Sequence, residues 1–188
     1  MLELRPIVMS DNPQLRIKST PVSFPLSQKD EEDAKYLLEY LKFVNVKENA
    51  EQYQLRVGVG LAAPQIGIQK RMLAIYIQNE DSEGKVLDVE QLILINPRIV
   101  SHAEQKSYLK SGEGCLSVAV DKEGYVPRYA FVTVEAYDLV TKTMLKKKFR
   151  GYEAIVIQHE IDHLDGILYI DKINTKDPYA PISNAIEI

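Results

Sequence analysis

Histidine occurs only three times in this chain of 188 residues, and two of the three stand four positions apart in His159-Glu160-Ile161-Asp162-His163. On an α-helix, residues four apart lie one turn apart on the same face. Both imidazoles can then reach one metal ion, with a glutamate beside them. Random placement of these residue types would produce the pattern roughly 0.004 times in a chain of this length, so chance is a weak rival. Two histidines leave a catalytic metal site one protein ligand short. His102 stands alone in a polar stretch and reads as a surface residue, so a distal histidine ligand is excluded. A glutamate or aspartate stays open as third ligand. So does the single cysteine, Cys115, in Glu113-Gly114-Cys115-Leu116-Ser117. A lone cysteine is more often a small buried hydrophobe than a ligand. It can close no intramolecular disulfide, which agrees with a reducing compartment.

The histidine pair needs a helix to carry it, and the pattern predicts one over Tyr152–Leu164. At ~100° per residue, Ile157, Ile161, Leu164 and Leu168 fall on one face. His159 and His163 fall nearly opposite, on the side shared by Tyr152 and Val156. Both faces want protein around them, so the helix should be central, with an apolar core behind and a metal pocket in front. Ser27, with Asp30 three residues on, opens an earlier helix whose apolar stripe is Ala34, Leu37, Leu38, Leu41 and Val44. Met72–Ile77, Leu92–Ile95 (stopping near Pro97), Phe131–Tyr137 and Thr143–Phe149 read as strands. The Lys146-Lys147-Lys148 run reads as a solvated edge, and residues 79–90 as an exposed loop or hairpin end. Ile167–Ile170 and the tail after Pro181 read as short β segments. Helices and strands without regular alternation point to an α+β fold: one domain over residues 1–188, with mixed or antiparallel sheets around the central metal-binding helix.

Composition narrows the function classes. Hydrophobic residues make up 45% and charged residues 27%, an ordinary globular balance. A net charge of −4 gives no reason to expect a nucleic-acid or anionic-membrane surface. No apolar run approaches the ~20 residues needed to cross a bilayer. Residues 1–13 lack the basic start and apolar stretch of a signal peptide. A bacterial cytoplasmic protein is the expectation.

Three segments carry a resemblance. Gly58-Val59-Gly60-Leu61-Ala62-Ala63-Pro64-Gln65, then Glu113-Gly114-Cys115-Leu116-Ser117, then Gln158-His159-Glu160-Ile161-Asp162-His163-Leu164-Asp165-Gly166 resemble the three signature motifs of peptide deformylases, in the same order. Tyr125-Val126-Pro127-Arg128 is similar to a stretch between the second and third. The chain length and the long segment between the first two motifs resemble the class common in Gram-positive bacteria. Asn12 stands where relatives often have Asp.

The resemblance implies a metallo-hydrolase that removes the N-formyl group from formyl-methionyl nascent polypeptides and releases formate. Cys115, His159 and His163 would bind one divalent ion, Fe(II) in the cell, with Zn, Ni or Co possible in isolated protein. A water activated by that ion would attack the formyl carbonyl, with Glu160 as general base and then acid. The Gln65 side chain and the Leu116 backbone N–H would stabilise the oxyanion. Val59, Gly60 and Gly114 would pair with the extended substrate. Helical phase adds Tyr152 and Val156 as walls of the methionine slot. Arg128 has two readings, support of the substrate chain or a surface ion pair. Asp162 and Asp165 have two as well, orientation of a histidine or exposure to water. A monomer working near the ribosome, with no direct nucleic-acid or membrane binding, completes the expectation. Two rivals stand beside it: a peptidase with a carboxylate third ligand, and a structural metal site closed by four protein ligands.

Overall fold

The computed structural model describes residues 2–188, apart from the Glu80 side chain. Among the described residues there are three α-helices: α1 (Gln28–Val44), α2 (Lys47–Tyr53) and α3 (Gly151–Leu164). The strands are β1 (Gly60–Ala62), β2 (Met72–Glu80), β3 (Val86–His102), β4 (Lys106–Tyr108), β5 (Arg128–Tyr129), β6 (Phe131–Asp138), β7 (Thr143–Arg150) and β8 (Ala185–Glu187). They form an antiparallel sheet in the order β1-β2-β3-β6-β7 and a small mixed sheet in the order β5-β4-β8. None of the described helices is long and apolar enough to cross a membrane.

Period-two alternation in β2 explains the layering. Met72 and Ala74 face α1, packing with Leu37, Leu41 and Val44. Leu73, Ile75 and Ile77 face the other way, onto Ile157, Ile161 and Leu164 of α3. The large sheet is therefore covered on both faces, which is why β2 reads as a continuous apolar run. The second face of α3 is buried too, against the segments that carry Cys115 and β5. Helix α1 begins where its cap predicts: the Ser27 hydroxyl oxygen accepts the Asp30 N–H at 3.1 Å.

Two sequence expectations need correction. β3 does not stop at Pro97 but runs on to His102. Asn96 adopts φ 52° and its amide pairs with both backbone groups of Val22 at 2.8 Å. This makes a bulge in the β3–β6 register between Ile95 and Arg98, and a proline there removes no ladder bond. Ile167–Ile170 is not a strand; a 3-10 turn spans Tyr169–Lys172, its start held by the Asp171 carboxylate accepting the Leu168 N–H at 2.9 Å. The acidic stretch of residues 79–90 is the exposed hairpin end that the sequence suggests, joining β2 to β3 through a turn at residues 81–85. The tail does form a strand, β8, parallel to β4.

Candidate active site and metal centre

Helix α3 forms one wall of a cavity of about 250 Å³, presenting Tyr152, Ile155, Val156, His159 and Glu160 to it. Gly58, Val59 and Gly60 line it from the β1 side, and Gly114, Cys115 and Leu116 from the opposite loop. The ligand-capable atoms of Cys115, His159 and His163 all lie within 4.8 Å of one another, and all three residues are buried. Cys115 Sγ is 3.3 Å from His163 Nε2.

One thiol and two imidazoles suit a borderline divalent ion such as zinc or ferrous iron. The surroundings fit that reading. His159 uses Nδ1 on the Glu113 carboxylate at 2.8 Å, which leaves Nε2 to face the cluster. Glu113 in turn receives two bonds from Arg128, from Nε and Nη2, each at 2.8 Å. Arg128 Nη1 also donates to Asp162, and Lys172 reaches Asp162 at 2.8 Å. Burial alone would raise the Glu113 carboxyl, but hydrogen bonds from Arg128 and His159 outweigh it and hold Glu113 at about 2. It is therefore charged at neutral pH and accepts the hydrogen bond from His159 Nδ1–H. Burial pushes His163 well below its usual value, which favours the neutral imidazole a metal needs.

Glu160 is 4% exposed, and its Oε2 has no hydrogen-bond partner among the described residues. Burial pushes its carboxyl up to about 7, against the opposing charges of His159 and Arg128. An acid-base group poised near neutrality beside a metal-ligand cluster suits proton transfer.

Gln65 lies in the 3-10 turn Ala63–Ile66 that follows β1 and is 1% exposed. Its Oε1 accepts the Ala62 N–H at 2.8 Å, which fixes the sense of the amide. Nε2 then points toward Cys115 Sγ at 3.7 Å and Ser117 Oγ at 3.2 Å. Gln65 and Leu116 both border the cavity.

The sequence model of the polypeptide deformylase family matches residues 4–179. The chain belongs to that family. Membership makes it an enzyme that removes the N-formyl group from nascent polypeptides. It is 45% identical to the peptide deformylase of Oceanobacillus iheyensis over 179 residues, covering 95% of this chain and 94% of that one. With peptide deformylase 2 of Bacillus subtilis it shares 44% over 188 residues, covering 100% and 99%. The fold resembles the Met-Ala-Ser-bound class I type b peptide deformylase of Acinetobacter baumannii, with a TM-score of 0.71 and 27% identity, covering 92% and 100%.

Within this deformylase the expected residues divide into those around the cavity and those off it. The Cys115, His159 and His163 cluster, Glu160, Gln65, Leu116, Val59, Gly60, Gly114, Tyr152 and Val156 gather there. Arg128 does not line the cavity, nor is it on the surface: it is 1% exposed, locked between Glu113 and Asp162. Asp162 reaches His159 only through Arg128 and Glu113, whereas Asp165 pairs with Arg71 at 2.7 Å. His102 is exposed, stacks on Tyr129 and is not part of the cluster. Glu113 is the residue that sequence reasoning passed over. Its place two positions before Cys115 was a signal, but its link to His159 spans 46 residues.

Gly60 has a steric reason to be glycine. A Cβ built there would lie 2.3 Å from Glu160 Oε1, closer than any real contact. Gly60→Ala should therefore displace the Glu160 carboxylate and lower turnover by about 10²-fold, the lower end of what a positioned acid-base group contributes. Formate release kinetics check this. Turnover within twofold of the parent would show that Glu160 tolerates the displacement.

Proposed function

We propose that residues 1–188 act as one catalytic domain that hydrolyses the formamide of N-formyl-methionyl peptides, releasing formate, with one divalent ion held by Cys115, His159 and His163. The observation that carries this reading is the buried thiol-imidazole cluster lying beside Glu160 in a cavity bordered by a strand edge. When bound, the ion supplies Lewis-acid activation of water and of the formyl carbonyl. The thiolate makes the donor set soft, which suits Fe(II) in the cell and also admits Zn, Ni or Co.

Glu160 takes a proton from the attacking water and hands it to the leaving amine nitrogen. Gln65 Nε2–H and the Leu116 N–H donate to the oxygen that gains charge in the tetrahedral intermediate. The peptide lies along β1, one of the two edge strands of the large sheet. Val59 spends its carbonyl on the Tyr76 N–H at 2.8 Å. Antiparallel alternation therefore turns the N–H and C=O of Gly60 outward, to a substrate strand. Gly114 borders the other side.

Tyr152 and Val156, with Ile155 between them, line the cavity along one wall and form the slot for the methionine side chain. Val156 is 6% exposed, so a larger residue has nowhere to go but into that space. Val156→Trp should lower kcat/KM for a formyl-Met peptide about ten- to hundredfold, as overpacking by 1–3 kcal/mol does. An unchanged kcat/KM would remove Val156 from the slot. Formyl differs from acetyl by one methyl group, and a tight site rejects it for the same reason.

The protein works as a monomer in the bacterial cytoplasm, near ribosomes that present formylated chains. Its test is release of formate from formyl-Met-Ala-Ser by anaerobically purified, metal-loaded protein, with acetyl-Met-Ala-Ser alongside. Formate from the first and no acetate from the second is the expected result. Formyl-Met as product would mean cleavage of the Met–Ala bond and would favour the peptidase; no product with one tightly bound ion would favour a structural site.

A further inference from the structure

Gln65 and Cys115 lie 50 residues apart in the chain, yet the Gln65 amide reaches the Cys115 thiol. Three contacts bring the two loops into register. Ser117, wholly buried, offers its Oγ to Gln65 Nε2 at 3.2 Å. The Val8 N–H donates to the Gln65 carbonyl at 2.8 Å, and the Ser10 N–H donates to the Ser117 carbonyl at 2.7 Å. One N-terminal segment thus ties down the backbones of both partners.

The amide has two N–H groups, and Ala62 already fixes which end of it faces the loop. With one N–H on Ser117, the other is directed at Cys115 Sγ, 3.7 Å away at the cavity wall. Without Ser117 the amide could twist about its last torsion, which is broad for glutamine. We infer that Ser117 is a positioning residue for the reaction: its hydroxyl takes one Gln65 N–H so that the other is preorganised for the developing oxyanion. This inference rests on the oxyanion role assigned to Gln65 above. An oxyanion donor stabilises best when it needs no reorganisation, so the effect belongs to turnover rather than to substrate binding.

The test is a double-mutant cycle on metal-loaded enzyme, joined to a spectroscopic measurement that needs no turnover. Ser117→Ala should lower kcat about tenfold, the worth of one hydrogen bond, with KM within twofold of the parent. Gln65→Ala should lower kcat about 10²–10³-fold. Adding Ser117→Ala to Gln65→Ala should then cost nothing further, because its target is gone. In the zinc-loaded protein, Ser117→Ala should also move one of the two Gln65 side-chain amide proton resonances upfield. Additive losses, an unchanged kcat in Ser117→Ala, or an unmoved amide resonance would overturn the positioning role. If Ser117→Ala does not fold, Ser10→Pro, which removes the N–H on the Ser117 carbonyl, should give the same kcat loss and the same non-additivity with Gln65→Ala. A parent enzyme that releases no formate would instead overturn the functional reading, and the amide resonance would still judge the Ser117–Gln65 bond.

Discussion

Glu160→Ala should release formate about 10²–10⁴ times more slowly than the parent while still binding one metal ion. Its carboxylate is the acid-base group at the cluster, and the three ligand residues do not depend on it for their own hydrogen bonds. The loss should come without a loss of stability. Glu160 is buried with one oxygen unpartnered, and burial pushes its carboxyl up to about 7. A group in that state opposes folding when charged, and more so as pH rises from its ordinary value of 4.5 toward 7. Replacing it should leave the melting temperature equal to or above that of the parent at pH 7.5. Formate kinetics, metal analysis and calorimetry on one preparation decide the matter. Near-parental turnover would take the base away from Glu160; loss of the metal together with activity would make it a ligand-supporting residue instead.

That residue was legible from the chain because its meaning is local. The histidine spacing, the glutamate inside it and the apolar phase of Ile157, Ile161 and Leu164 all lie within helix α3, where one period governs every position. The Ser27 cap and the stripe of α1 are local in the same way. The sheet was less legible where backbone detail decides. β3 passes Pro97 because Asn96 takes a left-handed conformation held by Val22, 74 residues away. No short window of sequence contains that contact. The turn at Tyr169–Lys172 was hidden for a smaller reason: an apolar run of four suits a strand until Asp171 caps it.

Arg128 shows the limit most clearly. In Tyr125-Val126-Pro127-Arg128 a cation reads as a substrate contact or a surface ion pair, since arginine is almost never fully buried unless paired. The partners that permit burial are Glu113, 15 residues away, and Asp162, 34 residues away. The sequence contained both, but pairing is a property of the fold. The same holds for Glu113, whose service to His159 appears only when the second motif is laid against α3.

Arg128→Met should accordingly produce the largest loss of stability of any single change near the site. Arg128 and Glu113 side chains are 1% and 4% exposed, so removing the guanidinium leaves a carboxylate buried without its cation. Breaking such a pair typically costs about 3–5 kcal/mol. For a domain of this size that corresponds to a fall in Tm of roughly 6–20 °C. Asp162 suffers less, because Lys172 still reaches it. The pH dependence gives the mechanism its signature. In the parent, Glu113 is held at about 2, so its contribution is complete above 4.5 and is lost only as pH falls toward 2. In the variant, burial is no longer outweighed by Arg128 and the folded-state carboxyl rises. The deficit in Tm should then be greatest near pH 7.5 and shrink toward pH 5, as protonation relieves the unpaired charge. Adding Glu113→Gln to Arg128→Met should recover part of the loss at pH 7.5 for the same reason. Calorimetry of the single and double variants at both pH values tests this. An equal deficit at pH 5 and 7.5, with no relief from Glu113→Gln, would mean that Arg128 stabilises the protein by packing its side chain and not by neutralising Glu113.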